Sequence, residues 1–418
     1  MNISRDIYLE KLIRKKQNGM IKVITGIRRC GKSYLLFRLF RQYLADEGIP
    51  ADHIIEIAFD DRRNRKLRDP DACLTYIDAR CADAHPYYIL LDEVQYMSEF
   101  EDVLLSLMHL PNADIYVTGS NSKFLSSDII TEFRGRGDEI RVYPLSFSET
   151  FSAGVFEGFE DAWNHYFTYG GMPYIMSLDS EEDKAFYLQN LFKETYLKDI
   201  LERNHIRGDI QLEELVNIVS SSVGSLTNAN KLANTFRSVE KVSLSAPTIK
   251  EYLGFLEEAF ILEKALRYDV KGKRYMNTPY KYYFTDVGLR NARLNFRQQE
   301  ENHIMENILF NELKVRGYNV DVGMVELRRR RSDGTYQKMQ TEIDFVANKG
   351  SRRYYIQSAF SLPDKEKEIQ EKRPLRSLSD SFKKIIIIKD NILLRRDEEG
   401  IVTMGLKQFL LDPESMDL

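Results

Sequence analysis

Cysteine is scarce in this chain of 418 residues: there are three, Cys30, Cys73 and Cys81. They are too few and too badly spaced for a disulfide framework or a zinc site. The six histidines, His53, His85, His109, His165, His205 and His303, show no H-E-x-x-H spacing and read as structural. No run reaches the roughly 18 apolar residues of a membrane span. The opening residues MNISRDIYLE lack the apolar core of a signal peptide. A large excess of either charge is also absent, with 60 Lys and Arg against 64 Asp and Glu. The formal net charge of −4 excludes a polycation built as a whole for nucleic acid, though local basic patches stay open. There is no internal repeat and no low-complexity segment. The expectation is a cytoplasmic chain without a membrane segment. At roughly 100–200 residues per domain, two to four domains fit.

What is present begins at residues 20–33, MIKVITGIRRCGKS. An apolar, strand-like run breaks into Gly26-Ile27-Arg28-Arg29-Cys30-Gly31-Lys32-Ser33, and a helical stretch from Tyr34 to Tyr43 follows. This is G-x-x-x-x-G-K-S in its proper strand–loop–helix context. The glycines let backbone N–H groups turn toward an anion, Lys32 reaches the β- and γ-phosphates, and the Ser33 hydroxyl ligates Mg²⁺. The positive end of the following helix adds to the attraction. The residues predict nucleoside-triphosphate binding by Gly26, Ile27, Arg28, Arg29, Cys30, Gly31, Lys32, Ser33 and Tyr34. Arg28 and Arg29 either add charge at the phosphates or face solvent or a partner.

Strand candidates recur at 20–25, 53–60, 86–92, 113–119 and 138–143, with helical stretches between them. Their runs are continuously apolar, which implies burial on both faces of a parallel sheet. Ligands then bind beyond the C-terminal ends of the strands. The third run, Tyr87-Tyr88-Ile89-Leu90-Leu91-Asp92-Glu93, ends in two acids. Asp92 is expected to support Mg²⁺ and Glu93 to polarise the attacking water. The fourth ends in Val117-Thr118-Gly119-Ser120-Asn121-Ser122. Asn121, with Ser120 second, is the candidate for sensing the γ-phosphate, against a plain capped turn. In Phe133-Arg134-Gly135-Arg136-Gly137, Arg136 is the first candidate for stabilising phosphoryl charge and Arg134 the second, in the same subunit or a neighbour.

Residues 146 to about 205 are helical and aromatic-rich, with a turn at Gly170-Gly171-Met172-Pro173. Three helical patterns occupy 210–265, one opening at Ser245-Ala246-Pro247. A strand pair follows at 260–268 and 279–285, with Lys271, Lys273 and Arg274 between. Helices followed by a two-stranded wing read as a winged helix-turn-helix. A helix at 300–316, a hairpin of 318–331 and 335–347, and strands at 353–359 and 383–389 read as a separate α/β unit. Arg328-Arg329-Arg330-Arg331 sits near the hairpin tip, where it either grips phosphates or is simply solvated.

GIRRCGKS, YYILLDEVQ, YVTGSNS, the RGRG segment and Tyr143-Pro144-Leu145-Ser146-Phe147, in that order, resemble the bacterial and archaeal ATPases of the AAA superfamily with a C-terminal domain of unknown function. The GGMP turn, Tyr196-Leu197-Lys198-Asp199-Ile200 and Lys281-Tyr282-Tyr283-Phe284-Thr285-Asp286-Val287-Gly288-Leu289 match as well. The resemblance implies an AAA-type core that binds ATP, a winged-helix segment and a nuclease-like C-terminal fold. It names no substrate. The tail resembles the PD-(D/E)xK nuclease fold, with Glu306 on a helix and Asp344 on a strand. Gln357 stands at the second acid place and Ala359 at the lysine place. Glu342 shares the face of Asp344. Without the second acid and the lysine, metal-assisted hydrolysis is not expected, and the fold reads as kept for binding.

The expected architecture is therefore α/β: an AAA-type P-loop NTPase domain with a parallel sheet over 1–150, a helical and winged-helix segment over 151–292, and a small nuclease-like α/β domain over 293–418. The expected activity is ATP hydrolysis with Mg²⁺, its nucleotide state coupled to a C-terminal module that binds DNA or protein. The alternatives are a nucleotide-gated switch with negligible turnover and an ATP-controlled nuclease. Candidate partners are DNA through the winged helix and basic loops, a protein, and further copies of the chain.

Overall fold

The computed structural model describes residues 3–119, 133, 135–206, 210–240, 244–297, 300–330 and 336–418. The chain divides into two compact units. The first holds residues 1–144 with 258–260, and the second holds 145–257 with 261–418.

The first unit is built on five strands: β1 (Ile21–Thr25), β2 (Ile54–Ala58), β3 (Tyr87–Asp92), β4 (Ala113–Thr118) and β5 (Gly137–Arg141). They pair in the order β2-β3-β4-β1-β5, all parallel. β1 and β3 are buried along their whole length, as their unbroken apolar runs predict for a sheet covered on both faces. The core gathers Ile21, Val23, Ile57, Ile89, Leu91 and Val117 with Phe100, Val103 and Leu104 of the helix Phe100–Leu107. The strand order has one consequence for chemistry: β4 lies between β1 and β3. Side chains at the C-terminal ends of these three strands therefore stand side by side. After β1 and the loop of residues 26–31, a helical stretch runs from Lys32 to Asp46, with a π-helical segment at Leu35–Phe40.

The second unit carries an eight-stranded sheet: β6 (Leu262–Asp269), β7 (Arg274–Phe284), β8 (Asn319–Arg330), β9 (Tyr336–Lys349), β10 (Arg352–Ala359), β11 (Lys383–Ile388), β12 (Arg395–Arg396) and β13 (Val402–Gly405). The order is β12-β13-β11-β10-β9-β8-β6-β7. The expected strand pair is present as antiparallel β6 and β7. It is not a free hairpin, because β6 pairs in parallel with β8 through Arg267↔Val322 and Asp269↔Met324. An open strand edge is a liability that a neighbouring strand removes, and here the neighbour belongs to the C-terminal segment. Beside the boundaries expected at 150/151 and 292/293, the compact units divide after Pro144, and one sheet crosses residue 292. The helices expected over 210–265 are Ile210–Ser221, Ala229–Thr235 and Ala246–Glu258. The helix Lys365–Arg376, strands β12 and β13 and the helix Leu406–Leu411 complete the tail. The hairpin tip containing Arg331 lies outside the described residues.

Two motifs with no evident chemistry turn out to be one contact. The helix Phe159–Tyr169 stops at Gly170, and Gly171 N–H donates to Asp286 Oδ2 at 2.7 Å. The other carboxylate oxygen of Asp286 accepts from Leu289 N–H at 3.0 Å, capping the helix Val287–Arg293. Asn291 Nδ2 donates to the carbonyls of Phe167 (2.9 Å) and Thr168 (3.0 Å). The backbones approach so closely that a Cβ at Gly288 would lie 1.9 Å from the Tyr169 oxygen. The GGMP turn and the DVGL segment are thus the two halves of a clasp.

Burial pushes the Asp286 carboxyl up to about 6, against the opposing pull of the Gly171, Leu289 and Gly288 N–H groups. The folded state therefore holds this proton more tightly than the unfolded chain. Stability contributed by the protonated form is present at about pH 4 and is lost as pH rises through about pH 6, a change on the order of 2–3 kcal/mol. Thermal melts across that window should show a smaller fall in midpoint for Asp286→Asn than for the wild type. An unchanged slope would mean that Asp286 is ionised throughout.

Candidate active site

The loop after β1 turns at Gly26, where φ is 140°. A Cβ there would meet the Val142 carbonyl oxygen at 2.1 Å, so only glycine fits. Arg29 (φ 67°) and Gly31 (φ 103°) take left-handed conformations before the helix opens. Lys32 is buried, and its ammonium donates to the carbonyls of Gly26 (3.0 Å) and Ile27 (3.2 Å). The lysine charge is thereby held inside the curve of the loop. Ile27 and Cys30 are buried and fix the loop from behind, while Arg28 and Tyr34 are half-buried and Arg29 and Ser33 are exposed.

An unforeseen residue holds this loop. Arg5, 3% exposed, donates to Cys30 O at 3.1 Å and to Tyr143 O at 2.7 Å. Tyr143 N–H in turn donates to the Tyr8 hydroxyl at 3.2 Å, and Cys30 Sγ donates to Val142 O at 3.5 Å. Arg5 and Tyr8, before and within the helix Asp6–Arg14, thus tie the loop to the strand leaving β5. A lone arginine ahead of an amphipathic helix carries no sequence signal for that role.

Asp92 ends β3 and is buried. Its carboxylate accepts from the hydroxyls of Thr118, at the end of β4, and of Ser33. Burial holds the Asp92 carboxyl above its ordinary range, with the Thr118 and Ser33 hydrogen bonds pulling the other way and the nearby Glu93 charge adding to the rise. The predicted Ser33–Asp92 juxtaposition is present, and all donors are hard oxygens, the set Mg²⁺ prefers. Ser33 and Asp92 would hold the ion. Glu93 takes the left-handed conformation (φ 53°), and its N–H donates to Thr118 Oγ1 at 3.0 Å. Gln95 Nε2 donates to its carboxylate. Thr118 therefore orients both acids at once. It sits in the segment where a polar sensor is expected, three residues before Asn121.

Asn121, Ser120 and Arg134 lie outside the described residues. Arg136 is described, and the structure does not bring it to the loop. Its carbonyl accepts from Ile21 N–H at 2.9 Å and its N–H donates to Phe133 O at 2.8 Å. It stands at the start of β1, roughly 16 Å along the strand from the phosphate loop at about 3.3 Å per residue. The reason is topological: β5 is parallel to β1, so a residue preceding β5 falls at the sheet end opposite the site. At the site end the same pair of strands supplies Thr25, whose hydroxyl donates to Glu139 Oε1 at 2.6 Å.

Residues 18–151 match the family described as AAA domain, and residues 160–300 match a domain of unknown function (DUF8612). An uncharacterized protein of Haemophilus influenzae is 35% identical over 390 residues, spanning 92% of this chain and 93% of that one. An uncharacterized protein of Methanocaldococcus jannaschii is 26% identical over 424 residues, spanning 98% and 89%. Among solved structures, the Orc1 protein of Aeropyrum pernix in complex with DNA is similar at 12% identity and a TM-score of 0.28, over 70% of this chain and 92% of that one. The phosphate loop, the acid pair at the end of β3, the β2-β3-β4-β1-β5 order, the two family matches and the 35% identical relative lead to one statement: the chain belongs to the AAA-type P-loop ATPase family, in which this domain is followed by a domain of unknown function.

Proposed function

We propose that the chain binds ATP with Mg²⁺, hydrolyses it to ADP and phosphate, and uses the nucleotide state to control a C-terminal module that holds DNA or a protein partner. The observation that carries this reading is the hydrogen-bonded set Ser33–Asp92–Thr118–Glu93 beside the Lys32 loop. Loop N–H groups and the Lys32 ammonium bind the phosphates. Ser33 and Asp92 hold the metal, which would neutralise phosphate charge when bound. Glu93, fixed at its backbone by Thr118, accepts a hydrogen bond from the attacking water and orients it. Within the second unit, the helices of 151–292 with β6 and β7 serve as the winged-helix part. The remainder, 293–418, serves as a nuclease-like fold used for binding. The place of action is the cytoplasm.

The position of Arg136 favours a second reading, a nucleotide-gated switch with negligible turnover. An arginine on the transferring phosphoryl group is worth a factor of roughly 10³–10⁵ in rate, and this one is at the far end of the sheet within its own chain.

Steady-state phosphate release and nucleotide binding separate the two readings. Lys32→Ala is expected to abolish ATP binding. Glu93→Gln is expected to keep binding and lose about 10²-fold or more in turnover, the scale of general-base catalysis. Turnover at the wild-type rate in Glu93→Gln would remove Glu93 from the base role. DNA-stimulated, Glu93-dependent hydrolysis would support the coupled ATPase, and tight binding with almost no turnover would support the switch.

Arg5 offers a second test, remote from the chemistry. Arg5→Lys keeps the charge but cannot reach both carbonyls. Losing one hydrogen bond from a charged donor costs about 1.5–3 kcal/mol, so KM for ATP should rise about 10-fold or more with kcat nearly unchanged. A fall in kcat at constant KM would show that Arg5 does not act through the shape of the loop.

A further inference from the structure

The second unit lacks a lysine at position 359 and an acid at position 357, but a lysine reaches the acids from elsewhere. Lys281 lies on β7 and is almost fully buried. Its ammonium pairs with Glu306 Oε1 at 2.8 Å and with Glu342 Oε1 at 2.5 Å. Tyr283, two residues along the same strand, donates its hydroxyl to the same Glu306 oxygen at 2.6 Å. Glu306 comes from the helix Glu301–Val315, and Glu342 and Asp344 come from β9. Asp344 is buried, accepts Ser358 N–H at 2.7 Å, and lies within the field of Glu306, Lys281 and Glu342. Burial works against the Lys281 charge, yet Glu306, Asp344 and Glu342 outweigh it and hold the ammonium protonated.

A divalent ion at these acids would need several oxygens at about 2.0–2.1 Å in near-octahedral array if Mg²⁺. The ammonium already occupies hydrogen-bonding positions on two of the three carboxyls. Displacing it would leave an uncompensated cation in the interior, which is strongly disfavoured. Among the described residues, no three His, Cys, Asp or Glu side chains are grouped as a metal ion requires. The residues do not fit the metal that the nuclease-like resemblance implies.

We infer that Lys281 is the resident cation of this acid cluster, so that Glu306, Glu342 and Asp344 bind no Mg²⁺ or Mn²⁺ and instead clamp β7, the helix Glu301–Val315 and β9 together. The cluster is then a joint between the wing strands and the nuclease-like strands of one sheet. The inference stands apart from the ATPase reading, since it concerns only residues of the second unit.

The test is Mn²⁺ titration of the full chain without nucleotide, followed by electron paramagnetic resonance, with thermal melts confirming folding. Wild type and Asp344→Asn are expected to take up the same Mn²⁺, because any ion bound at the phosphate loop is common to both. Lys281→Met is expected to gain one Mn²⁺ site, lost again in Lys281→Met/Asp344→Asn. Mn²⁺ uptake by the wild type that Asp344→Asn removes would overturn the inference. So would a folded Lys281→Met with no added site. If Lys281→Met does not fold, the comparison of wild type with Asp344→Asn decides alone, and Lys281→Arg, which keeps the cation, should fold with wild-type Mn²⁺ uptake.

Discussion

The close approach of Gly26 to the Val142 carbonyl is the constraint on which the nucleotide site depends. The loop after β1 can only pass there because Gly26 has no side chain. The same stretch, Val142–Tyr143, accepts Cys30 Sγ and the Arg5 guanidinium and leans on the Tyr8 hydroxyl. A phosphate loop is a row of backbone donors whose value lies in being aimed before the ligand arrives. In this chain the loop is held from behind, by the stretch Val142–Tyr143 and by Arg5 and Tyr8.

From that base the parallel sheet does the rest. With β4 between β1 and β3, a hydroxyl at the end of β4 is forced next to the acids at the end of β3. Thr118 uses both capacities of its oxygen, donating to Asp92 and accepting from Glu93 N–H. It thereby couples Asp92, proposed to hold the metal, to Glu93, proposed to orient the water. The left-handed conformation of Glu93 costs on the order of 1 kcal/mol and persists because the Thr118 hydroxyl satisfies its N–H. Position, more than acidity, is what the fold supplies here.

Much of this was legible because it is local. Gly26, Gly31, Lys32 and Ser33 carry a fixed spacing, and the apolar runs ending at Thr25, Asp92 and Thr118 announce strands buried on both faces. The boundaries of β1, β3 and β4 lie within a residue or so of the expected ones for that reason. What was not legible depends on partners far away in sequence. Arg5 meets Tyr143 across 138 positions, and Gly171 meets Asp286 across 115. Arg136 falls at the sheet end away from the phosphate loop, and sequence spacing does not say at which end of a sheet a residue falls. The β6–β7 pair could not be seen to join the C-terminal sheet, since the pairing of β6 with β8 leaves no trace in either strand alone.

Buried lysines show where a partial signal does exist. Lys22 interrupts the apolar run MIKVIT, and Lys281 interrupts PYKYYF. A strand buried on both faces has no cheap place for an ammonium, so each must have met an acid during folding. Lys22 pairs with Asp114 across β1 and β4, and Tyr116 donates to the same carboxylate at 2.9 Å. Lys281 pairs with Glu306 and Glu342, and Tyr283 donates to Glu306. Both clusters contain a lysine, an acid and a tyrosine hydroxyl that donates to that acid, and the second adds a further acid, Glu342. Buried pairs of this kind add little net stability over an apolar packing but penalise any register that separates them. A one-residue slip of β1 against β4, or of β7 against its neighbours, would strand a charge. A lone lysine in an apolar strand thus marks a position where register is enforced, while the identity of its acid waits on the fold.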